Sequence, residues 1–307
     1  MLKLCLGTVQ FGMKYGINNQ IYRQPTKEEV YDMLDYAIEN GINVIDTARA
    51  YGNAEEILGQ YFERRKGVSE KVNVISKMPP NSLDINENVE EKIVNECKES
   101  LHRMHLNKLK GYLLHTPQYI YNKQVLSGLQ KLKEKQLVEN IGVSIYDLKE
   151  GIAAIETGII DYIQLPYSIL DQRGSKSGFF EKAKNADINI FVRSVFLQGL
   201  FMMDEKNIPE HLKDVIPYIR IFEDTRKKYA LSKVEAIISF IKEEKEIDYL
   251  VFGVEKKGQL VEDIRVFERS YNNTEDFVKE IKEKIDDVDK SIIFPSLWSN
   301  GKKAELD

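Results

Sequence analysis

Along the chain, short apolar runs alternate with amphipathic stretches eight times over. The runs are LKLCLG, INVID, VNVISK, LKGYLLH, ENIGVS, DYIQ, INIFVRS and DYLVFG, each of strand length and bounded by turn residues. Thr26 and Glu29 form a capping box ahead of Val30, Leu34, Ala37 and Ile38, which keep helical spacing until Gly41 stops the helix. Further helices are predicted up to about Arg65, over Val89 to Met104, Gln124 to Leu137, Asp147 to Thr157 and Phe179 to Asn185. Leu197 to Pro217 reads as irregular. The helical stretch beyond it breaks near Leu231, where Ser232 and Glu235 form a second capping box, and Gln259 to Arg269 is the eighth helix. The tail from Thr274 adds one more helix and a final loop at FPSLW. This alternation predicts an α/β protein, a (β/α)8 TIM barrel in a single domain over residues 1–307, with the tail after about residue 274 packing on the barrel.

Composition narrows the class. With 42% hydrophobic and 30% charged residues the chain can bury a core and lacks a disordered signature. Its net charge of −5 contains no basic block, so no nucleic-acid partner is expected. No apolar run approaches the roughly 20 residues of a membrane span, and MLKLCLG is too short for a signal peptide, so a cytoplasmic protein without a membrane partner is expected. Cys5 and Cys97 lack ligand spacing and read as core residues of a reduced protein.

Six of the strands end in a polar residue: Asp46, Lys77, His115, Ser144, Gln164 and Arg193. In a parallel barrel these ends converge on one face. The stretch from Asn43 to Gly59 adds a strand, a small-residue turn carrying Tyr51 and Gly52, and a helix, so Asp46, Tyr51, Lys77 and His115 should share one pocket. A tyrosine is a weak acid near neutral pH unless a cation such as Lys77 stabilises its phenolate, and a carboxylate at Asp46 would hold that ammonium. His115 can donate to a carbonyl oxygen. Such a set protonates a developing alkoxide, and since no side chain supplies hydride, a nicotinamide cofactor is implied.

In DTARAYGNAEEILG, VISK, SLHRMHLNKLKGYLLHTP, IGVS and IQLPYS, in that order, the chain resembles an aldo-keto reductase over nearly its whole length. The resemblance implies that Tyr51 is the general acid, Asp46 and Lys77 tune it, His115 orients the substrate, and NADPH lies across the barrel mouth and gives its pro-R hydride. It also implies that Ser144 and Gln164 hold the nicotinamide carboxamide, with Ile145 where an Asn is usual, and that Arg193 takes the place of a stacking Tyr. An acid such as Asp171 is the expected partner that would reduce the effect of the Arg193 charge on the nicotinamide. Ser194 and Leu197 would lie near the pyrophosphate. Gln259, Glu262 and Asp263 would lie at the adenine, and Lys256 or Lys257 would meet a 2′-phosphate in place of the Lys replaced here by Gly253. The hairpin that often plugs the barrel bottom is not expected. His102 and His105 sit three apart without a third ligand, so no metal is expected. Gly12 and Gly16 fit no phosphate-loop spacing and are read as lining the substrate mouth.

Three functions follow: reduction of an aldehyde or ketone, sugar-like or otherwise polar; the same site run as an aldose or alcohol dehydrogenase with NAD(P)+; or a cofactor-binding regulatory subunit without turnover, as channel-associated members of the family are. Specificity is expected from Met78 to Asn86, Leu197 to Pro217 and the tail around Trp298.

Overall fold

The computed structural model describes residues 1–84 and 88–298. The last two positions of the Met78 to Asn86 loop, and residues 299–307, lie outside the described residues. Eight parallel strands close into a barrel in sequence order. They are β1 (Lys3–Gly7), β2 (Val44–Asp46), β3 (Asn73–Lys77), β4 (Leu109–Leu114), β5 (Val138–Ser144), β6 (Tyr162–Pro166), β7 (Asn189–Arg193) and β8 (Tyr249–Gly253). β1 and β8 close the ring, in register from Lys3 against Tyr249 to Gly7 against Gly253.

Thirteen helical segments are found among the described residues. The N-terminal half contributes α1 (Val9–Gly12), α2 (Lys27–Glu39), α3 (Ala54–Arg64), α4 (Val89–Arg103), α5 (Lys123–Glu134) and α6 (Leu148–Glu156). The rest are α7 (Arg173–Lys176), α8 (Phe179–Asn185), α9 (Ile216–Lys228), α10 (Lys233–Lys242), α11 (Lys257–Glu268), α12 (Thr274–Lys284) and α13 (Lys290–Ile293). Both capping boxes form: the Thr26 side chain accepts from the Glu29 N–H, and that of Ser232 from the Glu235 N–H. Ala230, with φ of 55°, turns the chain between α9 and α10 where the break near Leu231 was predicted. Two readings change. The stretch after the first strand, which Gly12, Tyr15 and Gly16 mark as a loop in the sequence, opens with the short α1. Leu197 to Pro217 holds 3-10 turns at Leu197–Met202, Glu205–Asn207 and Glu210–Val215 before α9 begins at Ile216; left-handed Gln198 and Gly199 kink the first turn, and extended residues at Met203 and Ile208 end the first and second.

Strand pleating explains how the barrel carries a site. Residues two apart share a face, so the inward core residues Val44, Ile75, Leu113 and Phe191 are each followed, two positions on, by Asp46, Lys77, His115 and Arg193. Toward the barrel bottom that same core is completed by aromatic rings. Phe191 stacks on Tyr249 at 4.3 Å between centroids and tilts against Tyr162 at 5.0 Å. The Lys3 ammonium lies 5.9 Å from the centre of the Tyr249 ring.

The tail lies against the outer helices. α12 buries Phe277, Val278 and Ile281, and its Lys282 pairs with Glu244. Glu244 also accepts from the Tyr167 hydroxyl at 2.6 Å and the Ser175 hydroxyl at 2.9 Å. Beyond α13 the Phe294 ring meets Tyr146 edge-on at 5.5 Å and the Arg173 guanidinium at 4.6 Å.

Candidate active site

At the C-terminal ends of the strands a cleft of about 550 Å³ is lined at one end by Tyr51, His115 and Arg193, and at the other by Lys256, Gln259, Glu262 and Asp263. Its floor is a buried ion pair. Lys77, fully inaccessible to solvent, donates to both oxygens of Asp46 at 2.7 Å and to the Thr47 carbonyl at 3.0 Å. Asp46 accepts a further bond from Gln164 Nε2 at 2.8 Å. A buried charge survives only when paired and hydrogen-bonded, and here the pairing is complete on both sides.

Tyr51 sits above this pair, its hydroxyl 3.4 Å from Lys77 Nζ. The turn that carries it is held by close backbone approach. A Cβ on Gly12 would stand 1.8 Å from the Tyr51 carbonyl oxygen, and Gly52, at φ of +56°, would bring one within 2.2 Å of the Gly12 carbonyl oxygen. Only glycine fits both places. Gly12 is thus a buried spacer behind Tyr51 rather than part of the mouth, whereas Gly16 lines the cleft. His115 stands edge-on to Tyr51 at 6.0 Å between ring centres, and its Nδ1 is buried without a hydrogen-bond partner.

Electrostatics differ from the sequence expectation at Tyr51. Burial, and then the negative charge of Asp46, push its pKa up, and Arg193 offsets this only in part. Lys77 is itself pushed down by burial, against the pull of Asp46. Tyr51 therefore stands as a neutral phenol, able to give a proton. The His115 pKa is pulled down to about 3, first by burial and then by Lys77 and Arg193, so its imidazole is neutral.

The residues expected around a cofactor divide into two groups. Arg193, Ser194, Lys256, Gln259, Glu262 and Asp263 line the cleft. Ser144, Gln164 and Leu197 are buried beneath or behind it, and the Gln164 amide is engaged with Asp46. Lys257 points elsewhere: its ammonium pairs with Asp32 of α2 at 2.7 Å and lies 5.2 Å from the centre of the Tyr36 ring. Asp171 is bound by Arg173 at 2.7 Å, so it is not the acidic neighbour expected for Arg193. The Arg193 guanidinium instead lies 4.3 Å from the centre of the Tyr146 ring and donates to the Ile145 carbonyl at 3.3 Å. No carboxylate pairs with it among the described residues.

Sequence reasoning missed Tyr146, Tyr15 and Gln198. Gln198 Nε2 donates to the Tyr15 hydroxyl at 3.0 Å, and the Ile17 N–H donates to the Gln198 carbonyl at 3.1 Å, so the loop after β1 clasps the loop after β7 across the cleft. Ser194, Leu197 and Gln198 are left-handed at φ of 62°, 47° and 53°, with Gly199 at 87°. Strain of this kind in non-glycine residues gathers at ligand clamps. The Tyr15 side chain, following Lys14 in a polar loop, could have been suspected only from its proximity to the first strand end.

The arrangement fits an extended, partly aromatic ligand. The strained loop faces the cleft at mid-length, and the buried oxygens Gln10 Oε1 and Asn19 Oδ1 of cleft-lining side chains have no partner. Arg193 and Ser194 line one end of the cleft, and Lys256, Gln259, Glu262 and Asp263 the other.

Known proteins match this chain in the same sense. The sequence pattern described as the Aldo/keto reductase family covers residues 3–286. A chloroplastic pyridoxal reductase of Arabidopsis thaliana is 30% identical over 138 residues, 41% of this chain and 37% of that protein. A methylglyoxal reductase of Escherichia coli is 33% identical over 116 residues, 37% of this chain and 38% of that protein. The matching stretches thus span under two fifths of these relatives. An NADH-specific methylglyoxal reductase of Escherichia coli is 27% identical over 216 residues, 64% of each chain. In fold, an aldo-keto reductase of Bacillus halodurans in its holo form superposes with a TM-score of 0.75 at 16% identity, over 96% of this chain and 95% of that one.

Proposed function

The chain belongs to the aldo/keto reductase family, and on that premise we propose that it is an NAD(P)H-dependent reductase of a small aldehyde or ketone. The observation that carries this reading is the Tyr51 phenol held 3.4 Å from the buried Lys77 ammonium, beside an imidazole whose Nδ1 lacks a partner. When bound, the dinucleotide supplies hydride to the carbonyl carbon. His115, neutral near pH 7, donates a hydrogen bond that orients the carbonyl oxygen. As the carbon–oxygen double bond is reduced, that oxygen gains the basicity of an alkoxide, and Tyr51 Oη gives it a proton. A raised Tyr51 pKa keeps this proton in place until the alkoxide forms. The neighbouring ammonium then stabilises the phenolate left behind. Asp46 holds Lys77 at the required place.

A polar substrate suits Tyr15, Gln10, Asn18 and Gln198 in the lining. The reductive direction is supported by Arg193, whose guanidinium, with no carboxylate partner among the described residues, would oppose an oxidised, cationic nicotinamide more than a neutral reduced one. NADPH, the form expected from the sequence, would depend here on Lys256 alone among the described residues, since Lys257 is bound to Asp32. The test is loss of dinucleotide absorbance with a panel of polar aldehydes. Tight dinucleotide binding without turnover of any of them would overturn the reductase and leave a regulatory subunit.

A further inference from the structure

The adenosine end of the cleft has a charge balance opposite to the one a phosphomonoester needs. Glu255, Glu262 and Asp263 line it, and Lys256 is the single cation there among the described residues. Glu255 is 7% exposed and fixed in place, its Oε1 accepting from the Gln20 N–H at 2.7 Å. Lys256 reaches toward the Gln20 side chain at 3.2 Å. Asp263 is also 7% exposed and has no hydrogen-bond or ion-pair partner among the described residues. Its carboxyl is pushed well up by burial and then by the charge of Glu262, so further negative charge is already disfavoured there.

Two positions that could have supplied a counter-charge are occupied otherwise. The Gln259 side-chain oxygen accepts the N–H groups of Glu255 and Lys256, at 2.9 and 3.2 Å, and so caps α11 rather than facing a ligand. At Gly253 a Cβ would stand 2.3 Å from Gln10 Oε1, so no longer side chain fits without moving Gln10.

We infer that the cleft takes a dinucleotide with a free ribose 2′-hydroxyl, NAD(H), in preference to one with a 2′-phosphate, an inference that rests on the dinucleotide reading above. A 2′-phosphate carries between one and two negative charges near pH 7, and beside Glu255 and Glu262 it meets like charge with one ammonium to offset it. A ribose hydroxyl can instead donate to a carboxylate, the device by which dinucleotide sites elsewhere select the unphosphorylated form. The preference is thus achieved partly by repulsion of the competitor.

The test is titration of the protein with NADH and with NADPH, followed by nucleotide fluorescence and by calorimetry without substrate. The expected result is a dissociation constant for NADH at least about tenfold below that for NADPH. Equal constants, or tighter NADPH, would overturn the inference while leaving the dinucleotide reading intact. Binding of neither would remove both. In the Glu255→Gln, Glu262→Gln double variant the ratio of the two constants should fall from both sides, NADPH binding more tightly and NADH more weakly than to the parent. An unchanged ratio in a variant that still binds NADH would refute the carboxylate account.

Discussion

Tyr51 and His115 are neighbours with opposite needs, one to keep a proton until it is wanted and the other to stay uncharged, and burial serves both. Tyr51→Phe should lower kcat by about 10²–10⁴ while the dinucleotide dissociation constant stays nearly unchanged, because the phenol acts only as negative charge develops on the substrate oxygen. A variant that kept a tenth of the parent kcat would end its assignment as the acid. His115 makes a prediction about stability. Its pKa falls from 6.5 to about 3 on folding, so between those values the unfolded chain binds more protons than the folded one. Stability from this residue is fully present above pH 6.5 and is lost as pH falls toward 3, by at most about 1.4 kcal/mol per pH unit. Chemical denaturation at pH 7 and pH 5 should therefore show a smaller difference for His115→Gln than for the parent. At this scale the sequence was informative wherever a strand end placed a residue, as with Asp46, Lys77 and His115. It was silent about the rotation of α11, which sends Lys257 to Asp32 and leaves Lys256 at the cleft. It was equally silent about Tyr146, whose part depends on a guanidinium arriving from β7.

Among the elements, the loop from Ser194 to Gly199 joins strain to binding. Gly199 adopts φ of +87°, and a Cβ there would stand 2.8 Å from that of Asn18. Gly199→Ala should thus disturb the clasp between the β1 and β7 loops, at a backbone cost of about 1–2 kcal/mol. The expected outcome is dinucleotide binding weaker by roughly tenfold, read by fluorescence titration, with a thermal midpoint only a few degrees below the parent. Equal affinity would show that the clasp plays no part in holding the ligand. Helix positions were legible from capping boxes and apolar spacing, since those signals are local. The 3-10 turns after Leu197 were not, because their left-handed residues include Ser, Leu and Gln, which advertise no such conformation. Nor could local pattern reveal that Gln164 would be drawn to Asp46, a partner 118 residues away.

For the molecule as a whole, chemistry and stability occupy opposite ends of one barrel. Phe191 lies fully within the aromatic bottom, 1% exposed, and Phe191→Ala should cost about 3–5 kcal/mol in chemical denaturation. Its kcat should stay within a few-fold of the parent, measured at a temperature where the variant remains folded. A large loss of kcat with stability unchanged would contradict this division. The eightfold alternation made the barrel legible because each strand and helix signals its own period. Closure was legible only through that count, since nothing local pairs Lys3 with Tyr249. That closure also governs how the protein must come into being. β1 is synthesised well before β8, so its outer edge finds that partner only after all the intervening strands have been made. Until then β1 and β7 both present unpaired backbone, the kind of edge that recruits other chains. Joining such distant segments is slow because a long loop must close before any contact rewards it. Refolding should accordingly be limited by the meeting of β1 with β8, and crowding of incomplete chains should be the point at which production of this protein fails first.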